Sequence, residues 1–254
     1  MAAGFDIAAL TYDTDFTYSE IGKLQRAAVR RQLDKILGMT KLTDVLELGC
    51  GTGEDALWLS NRGLTVTATD ASAGMIDQAL LKNNSKVTFI QSSFEEVDQK
   101  VSGQFDLVFS NFGALNCASP QQLATLMETV RQMIRPGGIF IGVVMPRDTA
   151  WERFYFMLKG LGSRRNHSKT TASINGGEVS VYYYNPDDFL QLAPGYRKLM
   201  LRPVGFFVPP SYLEAQFRRS VIISDTLSAL EKAISSAALL SRFSDHYFLA
   251  LQPR

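Results

Sequence analysis

The sequence predicts an α/β protein built on a doubly wound sheet of seven strands. Short apolar runs alternate with helix-length segments through residues 44–144, which is the pattern of parallel strands joined by right-handed helical crossovers. Several of these runs are almost wholly apolar, as expected for strands covered on both faces. A glycine-rich turn follows the first run, and an aspartate, Asp70, ends the second. This pairing is typical of a nucleoside-binding half-site.

Each element follows from its local pattern. Ser19 is the expected N-cap of a helix from Glu20 to Leu37. The core elements are predicted strands at 44–48, 64–69, 87–91, 105–110 and 138–144, and predicted helices at 54–61, 72–82 and 120–134. Beyond them we predict an extra strand from Glu178 to Tyr184 and a short helix from Pro186. A strand from Tyr196 to Val208 bent at Gly205, a long helix to about Leu240 and a last strand from His246 to Leu251 are predicted to follow.

The glycine turn is the strongest functional signal. Gly49, Gly51 and Gly53 alternate with Cys50 and Thr52 between a buried strand and a helix. Glycine has no Cβ and tolerates positive φ, so the backbone of such a turn can approach a ligand closely. The carboxylate of Asp70 can accept two hydrogen bonds from a ribose diol.

The spacing of the glycines bears on which nucleoside binds. A dinucleotide fingerprint, G-x-G-x-x-G, requires a glycine at position 54, where this chain has Glu54. A negative charge at the start of the helix repels a pyrophosphate. S-adenosylmethionine, which has no phosphate and carries a sulfonium cation, tolerates it better. A nicotinamide-dependent oxidoreductase is therefore the weaker alternative.

Five motifs in order resemble the class I S-adenosylmethionine-dependent methyltransferases, closely over residues 40–145. The glycine turn, preceded by Glu47, resembles the first motif of that family. The other four are Val66–Asp70, Val87–Phe94, Phe105–Asn111 and Ile134–Phe140. The resemblance implies a Rossmann-like sheet that is mostly parallel with an antiparallel last strand, an N-terminal helix, and a cap inserted after the fifth strand. It also implies the cofactor S-adenosyl-L-methionine.

The resemblance assigns cofactor contacts to individual residues. Glu47 is expected to meet the methionyl ammonium group, and Asp70 the ribose. Tyr12 belongs to a segment that folds over the cofactor in similar enzymes. The full predicted set is Tyr12, Glu47, Gly49, Cys50, Gly51, Gly53, Asp70, Ala71, Met75, Ser93, Phe94, Asn111 and Phe112. One departure concerns adenine, because Ser92 and Ser93 occupy a turn where the family often has an acidic residue.

The sequence says less about the molecule that would accept the methyl group. Residues 147–175 interleave basic and aromatic side chains, which suggests a small, partly apolar acceptor, methylated on O, N or C. His167 and Tyr18 are the weak candidates for catalytic residues. No cluster of acids and histidines predicts a metal. Ser110–Gly113 lack the N-P-P-Y signature of enzymes that methylate nucleic-acid bases, and lack the acids that an aminopropyl transferase needs. A non-catalytic cofactor-binding or partner-binding module remains an alternative.

Bulk properties favour a single domain. The chain has 254 residues, a net charge of +1, and two cysteines. We expect residues 1–40 to form an N-terminal helical lid segment, 41–146 the cofactor core, 147–195 the substrate cap, and 196–254 a strand–helix–strand unit. The near-zero charge gives no sign of nucleic-acid binding. No apolar run reaches 18 residues and no signal peptide is evident, so we expect a cytoplasmic protein with reduced cysteines. Its oligomeric state is not predicted.

Overall fold

The computed structural model describes residues 2–82, 86–151, 168–174, 177–214 and 221–254. Seven strands form one sheet in the order β3-β2-β1-β4-β5-β9-β8, and β6 and β7 form a separate hairpin. The strands are β1 (Asp44–Leu48), β2 (Thr65–Asp70), β3 (Val87–Gln91), β4 (Phe105–Ser110), β5 (Ile134–Val144), β6 (Lys169–Ile174), β7 (Gly177–Tyr182), β8 (Tyr196–Val204) and β9 (His246–Pro253). Within this sheet β9 runs antiparallel to the other six strands, which are parallel to one another. The predicted Rossmann-like fold class is confirmed.

Helices cover both faces of the sheet. They are α1 (Ala2–Tyr12), α2 (Glu20–Met39), α3 (Glu54–Ser60), α4 (Ala73–Lys82), α5 (Val97–Lys100), α6 (Pro120–Met133), α7 (Pro186–Leu192) and α8 (Val221–Ala233). Leu33 of α2, Leu59 of α3 and Ile76 of α4 belong to the core on one face. Leu123 of α6 and Phe189 of α7 belong to the core on the other. Strand β1 is central and fully covered, since Val45, Leu46 and Leu48 expose no surface.

The N-terminal segment folds as two helices joined by a wide turn. A π-helical turn, Asp13–Thr17, continues α1. The Ser19 side chain then accepts a hydrogen bond from the Gly22 backbone N–H and caps α2, as its sequence position predicts. Such π-helical turns are rare and are frequent at functional sites.

The second half of the chain differs from the predicted elements in three places. The long helix predicted to reach about Leu240 ends earlier, since α8 ends at Ala233 and a short 3-10 helix, Ala238–Arg242, follows it. Strand β8 ends at Val204 rather than Val208, because Gly205 takes a positive φ of 73°. The backbone N–H groups of the four residues after the strand, Gly205 to Val208, all donate to the buried carboxylate of Glu231. The sequence also missed β6, which pairs with β7.

The predicted cap is described only in part. Within it, residues 152–167 lie outside the described ranges, and Phe189 of α7 stacks with Phe140 of β5 in the main core. Helix α7 therefore belongs to the body of the domain. The boundaries of the cap and of the lid segment stay predictions. Among the described helices, none is both long and apolar enough to span a membrane.

A carboxylate ties the amino end of β1 to β4. Asp106 accepts hydrogen bonds from the Thr43 N–H (2.9 Å), the Thr43 hydroxyl (2.7 Å) and the Asp44 N–H (3.0 Å), and from Arg135 (2.9 Å). Burial raises the pKa of Asp106, but these hydrogen bonds outweigh it and hold the pKa well below its usual range. The ionised group therefore stabilises the fold.

We expect Asp106→Asn to lower the free energy of unfolding at pH 7 by about 1 kcal/mol, since solvent partly screens the site. The deficit should shrink as the pH falls below about 4, where the carboxyl of the unfolded chain becomes protonated and the wild-type advantage is lost. Urea denaturation across this pH range measures it. The exposed Asp98, changed to Asn, serves as the control. An unchanged free energy of unfolding in Asp106→Asn at pH 7 would contradict the assignment.

Candidate functional site

A cavity of about 440 Å³ lies at the carboxyl edge of the parallel strands. The turns after β1, β2, β3 and β4 form its floor, and α1 and α2 contribute side chains from above. This is the edge at which doubly wound sheets bind ligands. Residues that line it include Phe5, Tyr12, Arg26, Glu47, Gly49, Cys50, Gly51, Thr52, Asp55, Asp70, Ala71, Met75, Gln91, Ser92, Ser93, Phe94, Asn111, Phe112, Cys117 and Gln122.

The glycine turn has the backbone that its sequence predicts. Gly49, Gly51 and Gly53 all take positive φ, at 68°, 52° and 79°. A Cβ on Gly49 would come within 2.4 Å of the Ala114 Cβ, and one on Gly53 within 2.7 Å of the Phe89 ring. Gly49 and Gly51 line the cavity, whereas Gly53 packs against β3 and begins α3. Glycine is therefore required at 49 and 53 for packing as well as for conformation.

Asp70 holds this turn in place. Its two carboxylate oxygens accept hydrogen bonds from the backbone N–H groups of Gly51 (2.8 Å) and Ser72 (2.9 Å). Burial raises the pKa of Asp70, and the two N–H donors oppose that shift. A carboxylate has about four lone-pair sites. Asp70 can therefore still accept hydrogen bonds from a ligand diol.

Glu47 is a buried acid with one carboxyl oxygen that has no hydrogen bond to any described residue. Its side chain lines the cavity, only 2% of the residue is exposed, and its Oε2 atom has no hydrogen bond within the described structure. Burial raises the pKa of Glu47 well above its usual value, and the nearby carboxylate of Asp55 raises it further. An unsatisfied buried carboxyl is costly, so the site is suited to a cation that reaches it from the cavity.

Two arginines of α2 meet a buried aspartate of α3. Arg26 pairs with the Asp55 carboxylate, and Arg30 donates to it at 3.0 and 3.1 Å. Asn111, directly after β4, also donates to Asp55 (2.8 Å). The Nε atom of Arg26 is buried and has no hydrogen-bond partner among the described residues, and Arg26 lines the cavity. The guanidinium is therefore held in place and retains hydrogen-bonding capacity.

Phe112 is held in an unusual conformation at the end of β4. It is the only non-glycine residue in the described chain with a positive φ (44°), and its N–H is fixed by the Asn111 side chain at 2.9 Å. Its ring meets Phe16 and His246 edge to face, at 5.1 and 5.7 Å between centroids. Non-glycine residues in this region concentrate at functional sites. The ring forms a wall of the cavity.

The far end of the cavity lies beyond β3. The Ser92 hydroxyl donates to the Ser93 carbonyl (3.0 Å) and the Ser93 hydroxyl to Glu96 (3.3 Å). Both hydroxyls are thus used within the turn. Glu95, which Gln122 of α6 contacts at 2.6 Å, brings a carboxylate to the cavity wall. An acidic group is present here after all, two residues later than the family pattern places it.

The structure brings most of the predicted site residues together. Those that line the cavity are Tyr12, Glu47, Gly49, Cys50, Gly51, Asp70, Ala71, Met75, Ser93, Phe94, Asn111 and Phe112. Tyr18 is 54% exposed and does not line it. His167 lies outside the described residues. Arg26, Thr52 and Asp55 line the cavity but were missed, because nothing in the local sequence indicates their long-range contacts.

Metal binding finds no support in the described ranges. Nowhere in them do three or more His, Cys, Asp or Glu side chains come close enough to hold an ion. The two cysteines are free: Cys50 is buried and Cys117 is partly buried. Burial raises the pKa of Cys50 well above its usual value and that of Cys117 to about 11, so both remain protonated thiols.

The doubly wound sheet, the glycine turn and the aspartate that ends β2 are features typical of nucleoside-binding α/β proteins. Residues 45–138 match the family model described as "Methyltransferase domain". Over these residues the chain is similar to that methyltransferase family, and the predicted resemblance to class I S-adenosylmethionine-dependent methyltransferases is confirmed.

Curated relatives resemble this core. The malonyl-[acyl-carrier protein] O-methyltransferase of Enterobacter lignolyticus is 30% identical over 132 residues, or 52% of this chain and 50% of the relative. The tRNA 5-carboxymethoxyuridine methyltransferase of Escherichia coli is 29% identical over 143 residues, covering 53% of each chain. The chain thus spans about half the length of the curated relatives it matches.

A solved structure extends the likeness in fold. The CcbJ methyltransferase from Streptomyces caelestis superposes with a TM-score of 0.63 over 99% of this chain and 98% of its own. The sequence identity is 18%, so the match concerns the fold alone. It includes the N-terminal and C-terminal segments that the domain family does not cover.

The unpartnered Glu47 carboxyl leads to a prediction about stability. We expect Glu47→Gln to raise the free energy of unfolding at pH 7 by about 1–3 kcal/mol, since it removes a buried ionisable group without a full set of partners. The pKa of Glu47 is raised in the folded state, so its ionisation destabilises the fold. The gain should therefore grow as the pH rises from about 4, the value in unfolded chains.

Urea denaturation of ligand-free protein between pH 4 and pH 7 measures this effect. The matched control is Glu178→Gln, at an exposed site on β7. A Glu47→Gln variant that is less stable than wild type at pH 7 would show that the carboxylate already has a stabilising partner.

Proposed function

We propose that the protein binds S-adenosyl-L-methionine and transfers its methyl group to a small, partly apolar molecule. The observation that carries the proposal is the unpartnered oxygen of Glu47, buried in a cavity next to the glycine turn and Asp70. An adenosyl ligand with an ammonium group supplies what Glu47 lacks. A dinucleotide would place a pyrophosphate near this acid and near Glu54, where charge repulsion opposes it.

The cavity residues fit the parts of the cofactor. Asp70 would accept hydrogen bonds from the ribose hydroxyls, Glu47 would pair with the methionyl ammonium, and Arg26 would donate its free Nε–H to the methionyl carboxylate. Phe94 and the backbone after β3 would contact adenine. The acidic and basic side chains of the cavity thus complement a zwitterion rather than a phosphate.

The chain's own residues have three tasks in the transfer. When bound, S-adenosylmethionine supplies a methyl group already activated on a sulfonium. Tyr12 and Phe112 shape the space at the reacting end and exclude water. Asn111 and Asp55 fix the backbone and the guanidinium that border it. Alignment of the acceptor is the main contribution that such a reaction needs from the protein.

A carboxylate acceptor is favoured over a phenol or an alcohol. Burial raises the pKa of Tyr12 to about 12, and no described cavity residue is a histidine, so the described wall offers neither an ionised phenol nor an imidazole as the base for a hydroxyl. A carboxylate needs none. The malonyl and carboxymethoxyuridine substrates in the relatives' names both carry one, and we extend that chemistry to this chain. The cytoplasmic location also stays a prediction.

Turnover tests the proposal against a non-catalytic module. The purified protein is incubated with S-adenosylmethionine and panels of small carboxylic acids, phenols, amines and tRNA, and S-adenosylhomocysteine is quantified. We expect S-adenosylhomocysteine to form when the acceptor is an apolar carboxylic acid. Methylation of tRNA alone would refute the small-molecule assignment. Tight cofactor binding with no turnover on any panel would favour the non-catalytic alternative.

Asp70→Ala should weaken binding of S-adenosylhomocysteine roughly 10–150-fold, because a lost hydrogen bond to a charged group costs about 1.5–3 kcal/mol. Isothermal titration calorimetry measures the dissociation constant. Asp77→Ala, on α4 but away from the cavity lining, should leave it unchanged. Equal dissociation constants for wild type and Asp70→Ala would remove the ribose assignment.

A further inference from the structure

We propose that Asp13 is the latch of an N-terminal lid that controls exchange of the bound cofactor. In this proposal the lid is the first part of the predicted lid segment: α1 and the π-helical turn, residues 2–17. The inference rests on the proposed function, because it concerns release of the same ligand. It assigns to Asp13 a role in ligand residence time, and not in chemistry.

The lid lies along α4 and is fastened to it at both ends. Near its start, Asp6 accepts hydrogen bonds from the Ser72 hydroxyl (2.5 Å) and the Gly74 N–H (3.0 Å), at the beginning of α4. Near its end, Asp13 accepts a hydrogen bond from Lys82 (2.7 Å), in the last turn of α4. The two aspartates are seven residues apart, which is about two helical turns. The two helices are therefore parallel and held in register.

Asp13 also fastens the lid to the glycine turn. Its other carboxylate oxygen accepts a hydrogen bond from the Thr52 hydroxyl at 2.6 Å. Thr52 stands between Gly51 and Gly53 and is 2% exposed. One carboxylate thus joins three parts of the site: the lid, α4, and the turn that would hold the cofactor. Asp6, by contrast, reaches only α4 and the turn before it.

The inner face of the lid closes over the cavity. Phe5 and Tyr12 line it from α1. The Tyr12 ring lies 3.9 Å from the position that a Cβ on Gly51 would occupy, so the ring covers the middle of the glycine turn. A ligand bound at that turn would lie next to Tyr12, on the cavity side of the lid. Its release requires the end of α1 to move away, and this breaks the hydrogen bonds of Asp13.

The latch is ionised under ordinary conditions. Burial raises the pKa of Asp13, but the hydrogen bonds from Lys82 and Thr52 outweigh it and hold the pKa below its usual value. Charge-assisted hydrogen bonds are stronger than neutral ones. The Asp13 and Lys82 side chains are each 22% exposed, so solvent weakens the pair without removing it. A bond of this strength can hold the lid closed and still open during turnover.

Dissociation kinetics test the proposal. S-adenosylhomocysteine is bound to the full chain, and its association and dissociation rates are measured by surface plasmon resonance. Asp13→Ala should raise the dissociation rate roughly tenfold, the low end of the cost of losing a charged hydrogen-bond partner, without slowing association. Lys82→Met, which removes one of the two contacts, should give a smaller increase. Asp15→Asn, an exposed acid in the same π-helical turn, should match wild type.

Hydrogen exchange of the ligand-free protein provides the second readout. Amides of residues 2–17 should exchange faster in Asp13→Ala, while those of β1 and β4 keep their protection. A merely structural role would lower protection throughout and leave the dissociation rate unchanged. Dissociation within twofold of wild type, or unaltered exchange in the lid, would overturn the latch. If wild type itself fails to bind S-adenosylhomocysteine, the proposed function fails, and the exchange data still decide whether Asp13 holds the lid.

Discussion

The site depends on one backbone constraint, the left-handed turn between β1 and α3. Three glycines at alternate positions take positive φ, and the turn is held to β2 by the hydrogen bonds from Cys50 N–H to the Thr69 carbonyl (2.9 Å) and from Gly51 N–H to Asp70 (2.8 Å). Because these bonds fix the turn, the start of α3 and the carboxylate after β2 have fixed positions. The cavity, the pairing of Asp55 with α2 and the contact of Thr52 with the lid all follow from it.

Next to this turn the protein buries charged side chains, which are rare in a stable core. Arg26, Asp55 and Glu47 are all less than 10% exposed. Burial of ion pairs often costs as much as their attraction returns. Two atoms of the group, Arg26 Nε and Glu47 Oε2, form no hydrogen bond within the part of the chain that the structure describes. A ligand that supplies hydrogen-bond partners for these two atoms would offset the cost of burying them. The two groups, a carboxyl oxygen and a guanidinium N–H, complement the ammonium and the carboxylate of an amino acid.

The sequence predicted what local pattern determines. Strand and helix positions in residues 44–144, the positive φ of the glycines and the place of Asp70 all depend on short-range periodicity and on glycine conformation. Local pattern did not predict contacts between distant segments. Arg26 and Asp55 are 29 residues apart, and Asp13 and Thr52 are 39 residues apart. Strand β8 was predicted too long because the carboxylate that captures the N–H groups after Val204 comes from Glu231, on a later helix. Tyr18, a candidate because it lies in the N-terminal segment, is exposed and does not line the cavity.

A crystal structure with S-adenosylhomocysteine tests the central claim most directly. The account predicts both ribose hydroxyls within hydrogen-bonding distance of the Asp70 carboxylate, the ammonium group against Glu47 Oε2, and the Tyr12 ring over the ligand. Electron density for the ligand outside this cavity would contradict the account. So would a complex in which Glu47 and Asp70 contact only the protein.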